Sequence, residues 1–89
     1  MYRLRFSELF LNKLKDMYIF IPPLILGWIY KNISMLRMSP RSIGKSLSPD
    51  NDAMWHYRFG AYRMLALVSD DKKVLLFIDI LSSGEYYAL

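Results

Sequence analysis

Trp55-His56-Tyr57-Arg58-Phe59-Gly60-Ala61-Tyr62-Arg63-Met64-Leu65-Ala66-Leu67-Val68 is the stretch that decides the fold. Two runs of strand character flank Gly60-Ala61: alternating aromatic residues before it and apolar residues after it. Glycine at the first turn position suits a type II′ hairpin. That turn pairs Phe59 with Tyr62 and Arg58 with Arg63. Strand side chains alternate faces, so His56, Arg58, Arg63 and Leu65 share one face. The two arginines then repel. At roughly 5 Å and an effective dielectric of about 20 the bare interaction is about 3 kcal/mol, less in water and salt. A chain that keeps such a pair has an anion for it to hold, and phosphate is the common one. The alternative is two solvated arginines on an open sheet face.

Downstream, Asp70-Asp71-Lys72 marks a second turn, followed by a strand over Lys73–Leu81. Its Val74-Leu75-Leu76-Phe77-Ile78 run is continuously apolar, as expected for a strand covered on both faces. The tail from Ser82 to Leu89 is short and polar-aromatic. Upstream, the segment from Arg37 to Asp52 reads as loop, because Pro40, Gly44, Pro49 and its serines break any period. It carries Arg37, Arg41 and Lys45 before its first acid, Asp50.

Tyr2-Arg3-Leu4-Arg5-Phe6 alternates like a short strand. Ser7 is a good helix N-cap, and Phe10, Leu14 and Met17 form a stripe at helical spacing, which predicts a helix from Glu8 to about Met17. Pro22-Pro23 suits the opening of a second helix, in which Ile25, Ile29, Ile33 and Leu36 recur on one side. Short links make the two helices an antiparallel hairpin. The order strand, helix, helix, strand, strand, strand predicts an α+β fold: an antiparallel sheet with an N-terminal helical hairpin packed on one face. Trp55, Tyr57 and Phe59 then face the helices, and His56, Arg58 and Arg63 face out. Leu65 and Leu67 fall on the outward side too, so the Arg37–Asp52 loop or the tail must cover part of it.

The 89 residues predict a single domain over 1–89. An apolar content of 54% and an aromatic content of 16% exclude a disordered chain. There is no cysteine and one histidine, which argues against a disulfide scaffold, a thiol nucleophile or a multi-histidine metal centre, so neither metal nor cofactor is expected. A net charge of +4 attracts polyanions such as RNA, DNA, an anionic membrane or an acidic protein. The apolar run Met17–Ile29 contains Pro22-Pro23 and falls short of the ~20 residues that a membrane span needs. The basic start is followed by polar residues rather than a signal-peptide apolar region, so the expected location is the cytoplasm, away from membrane.

Three runs together resemble the RelE/ParE toxin superfamily of bacterial toxin–antitoxin systems. They are Pro40-Arg41-Ser42-Ile43-Gly44-Lys45-Ser46-Leu47, Trp55 through Arg63, and Asp70-Asp71-Lys72-Lys73-Val74-Leu75-Leu76-Phe77-Ile78-Asp79-Ile80. The resemblance implies a small basic toxin neutralised by an antitoxin whose chain wraps it. RelE-type members cut messenger RNA, usually on the ribosome and without a metal; ParE-type members poison DNA gyrase. The implied partners are a cognate antitoxin, messenger RNA on the ribosome, and operator DNA through the antitoxin complex.

Metal-free RNA cleavage needs a proton acceptor for the attacking 2′-hydroxyl, cations around the phosphorane and a proton for the leaving 5′-oxygen. The resemblance places Arg63 on the scissile phosphate and Arg58 one strand across. It places His56 where the family often has a basic residue, a position from which a neutral imidazole could act as base. Tyr87 matches the family's C-terminal tyrosine, with Tyr86 its neighbour. Lys45, Arg41 and Tyr86 are the candidates for substrate contact. One departure stands out. Where the family commonly has a basic trio before Glu-x-Tyr, this chain reads Leu81-Ser82-Ser83-Gly84-Glu85-Tyr86-Tyr87, with Ser83 at the place of a second phosphate arginine. Loss of one such donor typically costs about 100-fold in rate or more. Three readings stay open: a messenger-RNA interferase, a gyrase poison, and a weakened member acting only through antitoxin and operator binding.

Overall fold

A computed structural model describes residues 1–87; Ala88 and Leu89 of the tail lie outside the described residues. The elements run β1 (Arg3–Phe6), α1 (Glu8–Asp16), α2 (Ile21–Lys31), α3 (Ile33–Met38), β2 (Lys45–Ser48), β3 (Asn51–Phe59), β4 (Tyr62–Ser69), β5 (Val74–Ser82) and α4 (Ser83–Tyr87). The strands form one five-stranded sheet in the order β1-β5-β4-β3-β2. The α+β architecture expected from the sequence is present, with strands β2 to β5 antiparallel. The first strand departs from the all-antiparallel expectation: β1 joins β5 in parallel, Arg3 beside Val74 and Phe6 beside Phe77. Alternation within a strand carries no information about direction. Here the three helices carry the chain from one sheet edge to the other, and the meander β2–β5 returns to β1 from the far side.

The first helix starts as its sequence dictates. Ser7 Oγ accepts from the Phe10 amide at 3.0 Å and donates to the Ile78 carbonyl at 2.8 Å. One side chain therefore caps α1 and fastens it to β5. The second helix is broken rather than continuous to Leu36. Asn32, with φ −103°, turns its Nδ2 to donate to the Trp28 carbonyl at 2.8 Å. An asparagine side chain competing for a carbonyl four residues back is a local alternative to continuing the helix.

The segment read as loop contains the short edge strand β2. Its own residues have no strand period; pairing with β3 creates it, Lys45 opposite His56 and Ser46 opposite Trp55. Trp55 Nε1 also donates to the Ile43 carbonyl at 2.7 Å, just before β2. Gly44, at φ +77°, makes the bend between them.

The core lies between the helices and one sheet face. Phe10, Ile25, Leu36, Tyr57, Met64 and Phe77 are fully buried there. Phe6, Phe10 and Phe77 pack as a triangle with centroids 5.5–5.6 Å apart. Tyr57 bridges Trp28 and Phe77 at 5.8 Å each and donates its hydroxyl to the Pro40 carbonyl at 2.6 Å. Burial pushes the Tyr57 phenol pKa up, so it stays a neutral donor.

Candidate functional site

The hairpin forms in the register that the sequence requires: Arg58 faces Arg63, Phe59 faces Tyr62 and His56 faces Leu65. Gly60 has φ +56° and Ala61 does not have positive φ, the pattern of a type II′ turn. Because Tyr57 points into the core, its neighbours His56 and Arg58 point to the opposite face. Across the sheet, β2 brings Lys45 beside His56, and β5 brings Leu81 beside Arg63.

The tail then turns back over this face as α4, which lies against β4 and β5. Its start is a reciprocal cap. The Ser82 amide donates to Glu85 Oε1 at 2.9 Å, and the Glu85 amide donates to Ser82 Oγ at 3.3 Å. Ser83 Oγ donates to the Ala61 carbonyl at 2.9 Å, which ties the tail to the hairpin turn. The expected cover of the outward face is thus partly supplied by the tail. Leu65 is buried and Leu67 is exposed, so the cover stops between them.

An open cleft of about 490 Å³ results. Lys45, His56, Arg58, Arg63, Tyr86 and Tyr87 line it, with Trp28, Gly44 and Tyr57 completing its wall. Six of the seven residues singled out from the sequence therefore meet in one place. Trp28 and Gly44 are additions. Gly44 stood in the Ile43-Gly44-Lys45 run, where the glycine itself was the signal of a bend; nothing in a helical pattern marks Trp28.

Arg41 is the exception: it is not among the residues that line the cleft. Its Nη1 pairs with Asp70 Oδ1 at 2.8 Å and its Nε donates to the Asp52 carbonyl at 2.9 Å. Asp70 follows the far end of β4, about 20 Å along the strand from Arg63. The Arg41 hydrogen bond, joined by one from the Tyr2 hydroxyl, pulls the Asp70 pKa down to about 2. Since the folded value lies below the ordinary one, the stabilisation is present above about pH 4 and is lost as pH falls through about 2. The pair is substantially solvated, so the share is expected to stay below about 1 kcal/mol. Urea unfolding at pH 6 and pH 2 measures it: Asp70→Asn should lose less stability on acidification than the wild type.

Within the cleft, Arg63 is 9% exposed and His56 is 6% exposed, whereas Lys45, Arg58 and Tyr87 are open to solvent. Among the described residues, no carboxylate lies within 4.0 Å of Lys45, Arg58 or Arg63; the ion pairs present are Lys13–Asp79 and Arg41–Asp70. The Tyr86 ring covers the Arg63 guanidinium, with Cζ 5.0 Å from its centroid. Tyr86 Oη lies 3.2 Å from His56 Nε2. Burial, then Arg63 and Lys45, lower the His56 pKa, which favours neutral imidazole. His56 Nδ1 is buried without a hydrogen-bond partner among the described residues. Tyr87 packs its ring edge-on against Tyr86 at 5.4 Å and leaves the rest of its surface free. Chemically, the cleft offers three uncompensated cations, an exposed phenol and aromatic surface, a set suited to a phosphate and an adjoining base. No helix among the described residues is long and apolar enough to cross a membrane.

Similar folds are known. The chain superimposes on the isolated RelE toxin of Escherichia coli with a TM-score of 0.69 at 17% identity, covering 99% of this chain and 93% of that one. It matches a chain of a RelBE toxin–antitoxin complex from Mycobacterium tuberculosis with a TM-score of 0.68 at 23% identity, covering 91% and 96%. A chain of the archaeal RelE–RelB complex of Pyrococcus horikoshii gives 0.67 at 19% identity, covering 93% and 96%. No curated protein matches the sequence significantly. The family described as ParE toxin of type II toxin–antitoxin system matches residues 4–87, which take in the helices, the paired arginines and the tail tyrosines alike. With that match spanning nearly the whole chain and the RelE fold beneath it, the chain belongs to the ParE toxin family, within the RelE/ParE superfamily of type II toxins.

Proposed function

We propose that this toxin is a messenger-RNA interferase, acting on RNA held by the ribosome in the cytoplasm and neutralised by a cognate antitoxin. The observation that carries the reading is the cluster of Lys45, Arg58 and Arg63 in one cleft without a carboxylate partner among the described residues. Such cations gain most when a phosphate enters, and more again as the phosphorane gathers charge. In the reaction, the 2′-oxygen bonds to phosphorus as its proton leaves, and the bond to the 5′-oxygen breaks as that oxygen takes a proton. The products are a 2′,3′-cyclic phosphate and a 5′-hydroxyl. Arg63 holds the phosphate, Arg58 and Lys45 approach it from the flanking strands, and Tyr87 offers the hydroxyl nearest solvent for proton exchange. No cofactor takes part in this scheme.

The antitoxin reading rests on family membership and on the RelB partners of the solved RelE complexes. Exposed Tyr18, Ile19, Phe20, Leu24 and Leu26 support a protein partner on the helical side. Operator DNA would be reached through that complex.

The tail favours a second reading, a gyrase-directed toxin. Ser82 and Glu85 cap each other where cationic residues would complete a nuclease site, and the matching family is named for ParE. Induction without the antitoxin gene separates the two readings. Broken messenger RNA with intact chromosomes supports the interferase; intact messenger RNA with a DNA-damage response supports the gyrase poison and overturns it.

A further inference from the structure

We propose that His56 is a positioning residue: it fixes the Tyr86 hydroxyl, and Tyr86 in turn fixes the plane of the Arg63 guanidinium. The inference rests on the reading above that Arg63 receives a phosphate. It concerns how that cation is held.

Arg63 has little else to orient it. Its one side-chain hydrogen bond among the described residues, from Nη1 to the Tyr62 carbonyl, is long at 3.5 Å. Arg41, by contrast, is held by contacts of 2.8 and 2.9 Å. The Tyr86 ring, its centroid 5.0 Å from Arg63 Cζ, is the aromatic contact on this guanidinium. A ring that lies over the guanidinium carbon can leave N–H groups at the edge for the bidentate contact with phosphate. Arg58, directly opposite, would otherwise drive the two cations apart.

Tyr86 in turn is held by His56, with centroids 5.1 Å apart and Oη 3.2 Å from Nε2. The lysine paired beside His56 on β2 and the arginine on β4 both oppose a charged imidazole. Neutral imidazole holds the Tyr86 hydroxyl through Nε2, as acceptor or as donor according to its tautomer. With Nε2 engaged and the ring nearly fully buried, His56 has no free nitrogen at the substrate surface. Its effect reaches the phosphate through Tyr86.

The test uses the full chain and inorganic phosphate as the probe. Nitrogen NMR reads the His56 tautomer and the order of the Arg63 Nε–H group, and titration reads phosphate affinity. His56→Leu and Tyr86→Phe should each broaden the Arg63 signal and weaken phosphate binding about fivefold, the worth of one ordinary hydrogen bond. His56→Gln, which keeps an acceptor, should recover most of both. Tyr86→Phe lies in the terminal helix and keeps the ring, so it tests the link even where His56→Leu misfolds. Unchanged Arg63 order and affinity in Tyr86→Phe overturns the proposal. Arg63→Ala binding phosphate like the wild type overturns the functional reading instead, and the Arg63 signal in the other variants still decides the link.

Discussion

Arg63→Ala should abolish growth arrest on induction and lower RNA cleavage by about 100-fold or more, the usual cost of one donor to a developing oxyanion. Its fold should survive. Arg63 forms no ion pair among the described residues, and its direct cross-strand neighbour is another arginine. Removing it relieves like-charge repulsion and loses the cation–π contact with Tyr86, two opposing effects of about 1 kcal/mol or less each. Thermal unfolding beside toxicity and cleavage assays separates the two properties. An inactive, normally stable variant fits a cation retained for its ligand. A variant as toxic as wild type removes Arg63 from the site. Arg63→Lys should recover only part of the activity, because an ammonium cannot present a planar fork to two phosphate oxygens.

Gly44→Ala should be the most damaging of the glycine-to-alanine changes. A Cβ there would lie 2.4 Å from the His56 backbone oxygen, 2.7 Å from Tyr57 Cδ1 and 2.9 Å from Trp55 Nε1. The first contact is backbone, so β2 must move away from β3. The residue also sits at φ +77°, where a side chain is strained. Strain of 1–3 kcal/mol for such a conformation, together with the clash, suggests roughly 3 kcal/mol or more of lost stability. Lys45, the next residue, would leave its place beside His56. Gly60→Ala is the contrast. It also has positive φ, but an added Cβ meets nothing within 4 Å, so the cost is expected near 1 kcal/mol. Chemical denaturation of the two variants tests the difference. Equal stability would show that the close approach at Gly44 does not hold β2 in place.

The hairpin was legible because its signals agree: glycine at the turn, aromatic alternation, and a register that follows from both. Ser7 was legible for the same reason, since a cap and an apolar stripe both start a helix there. The path of the helices was only half legible. Asn32 looks like an ordinary polar residue in a helical pattern, and its residue type alone does not show that its side chain takes the Trp28 carbonyl. Strand β2 was hidden because its pairing and the Trp55 bond to Ile43 are tertiary contacts. The cleft residues were identifiable by type and place, but their divisions of labour were not. Arg41 and Lys45 occupy the same basic run, and one is held by Asp70 while the other lines the cleft. No local pattern could show that Asp70, across the fold, reaches one and not the other. Likewise, the departure from the family at Ser82-Ser83 read as a loss, yet those residues cap α4 and tie it to the hairpin turn.

The central claim is that this cleft cuts RNA. Purified toxin added to ribosomes programmed with a defined messenger RNA, followed by mapping of the fragment ends, tests it most directly. The account predicts cleavage at ribosome-bound positions, leaving a 2′,3′-cyclic phosphate on one fragment and a 5′-hydroxyl on the other, with about 100-fold less of both from Arg63→Ala. Intact messenger RNA at toxin concentrations that arrest growth in cells would contradict it.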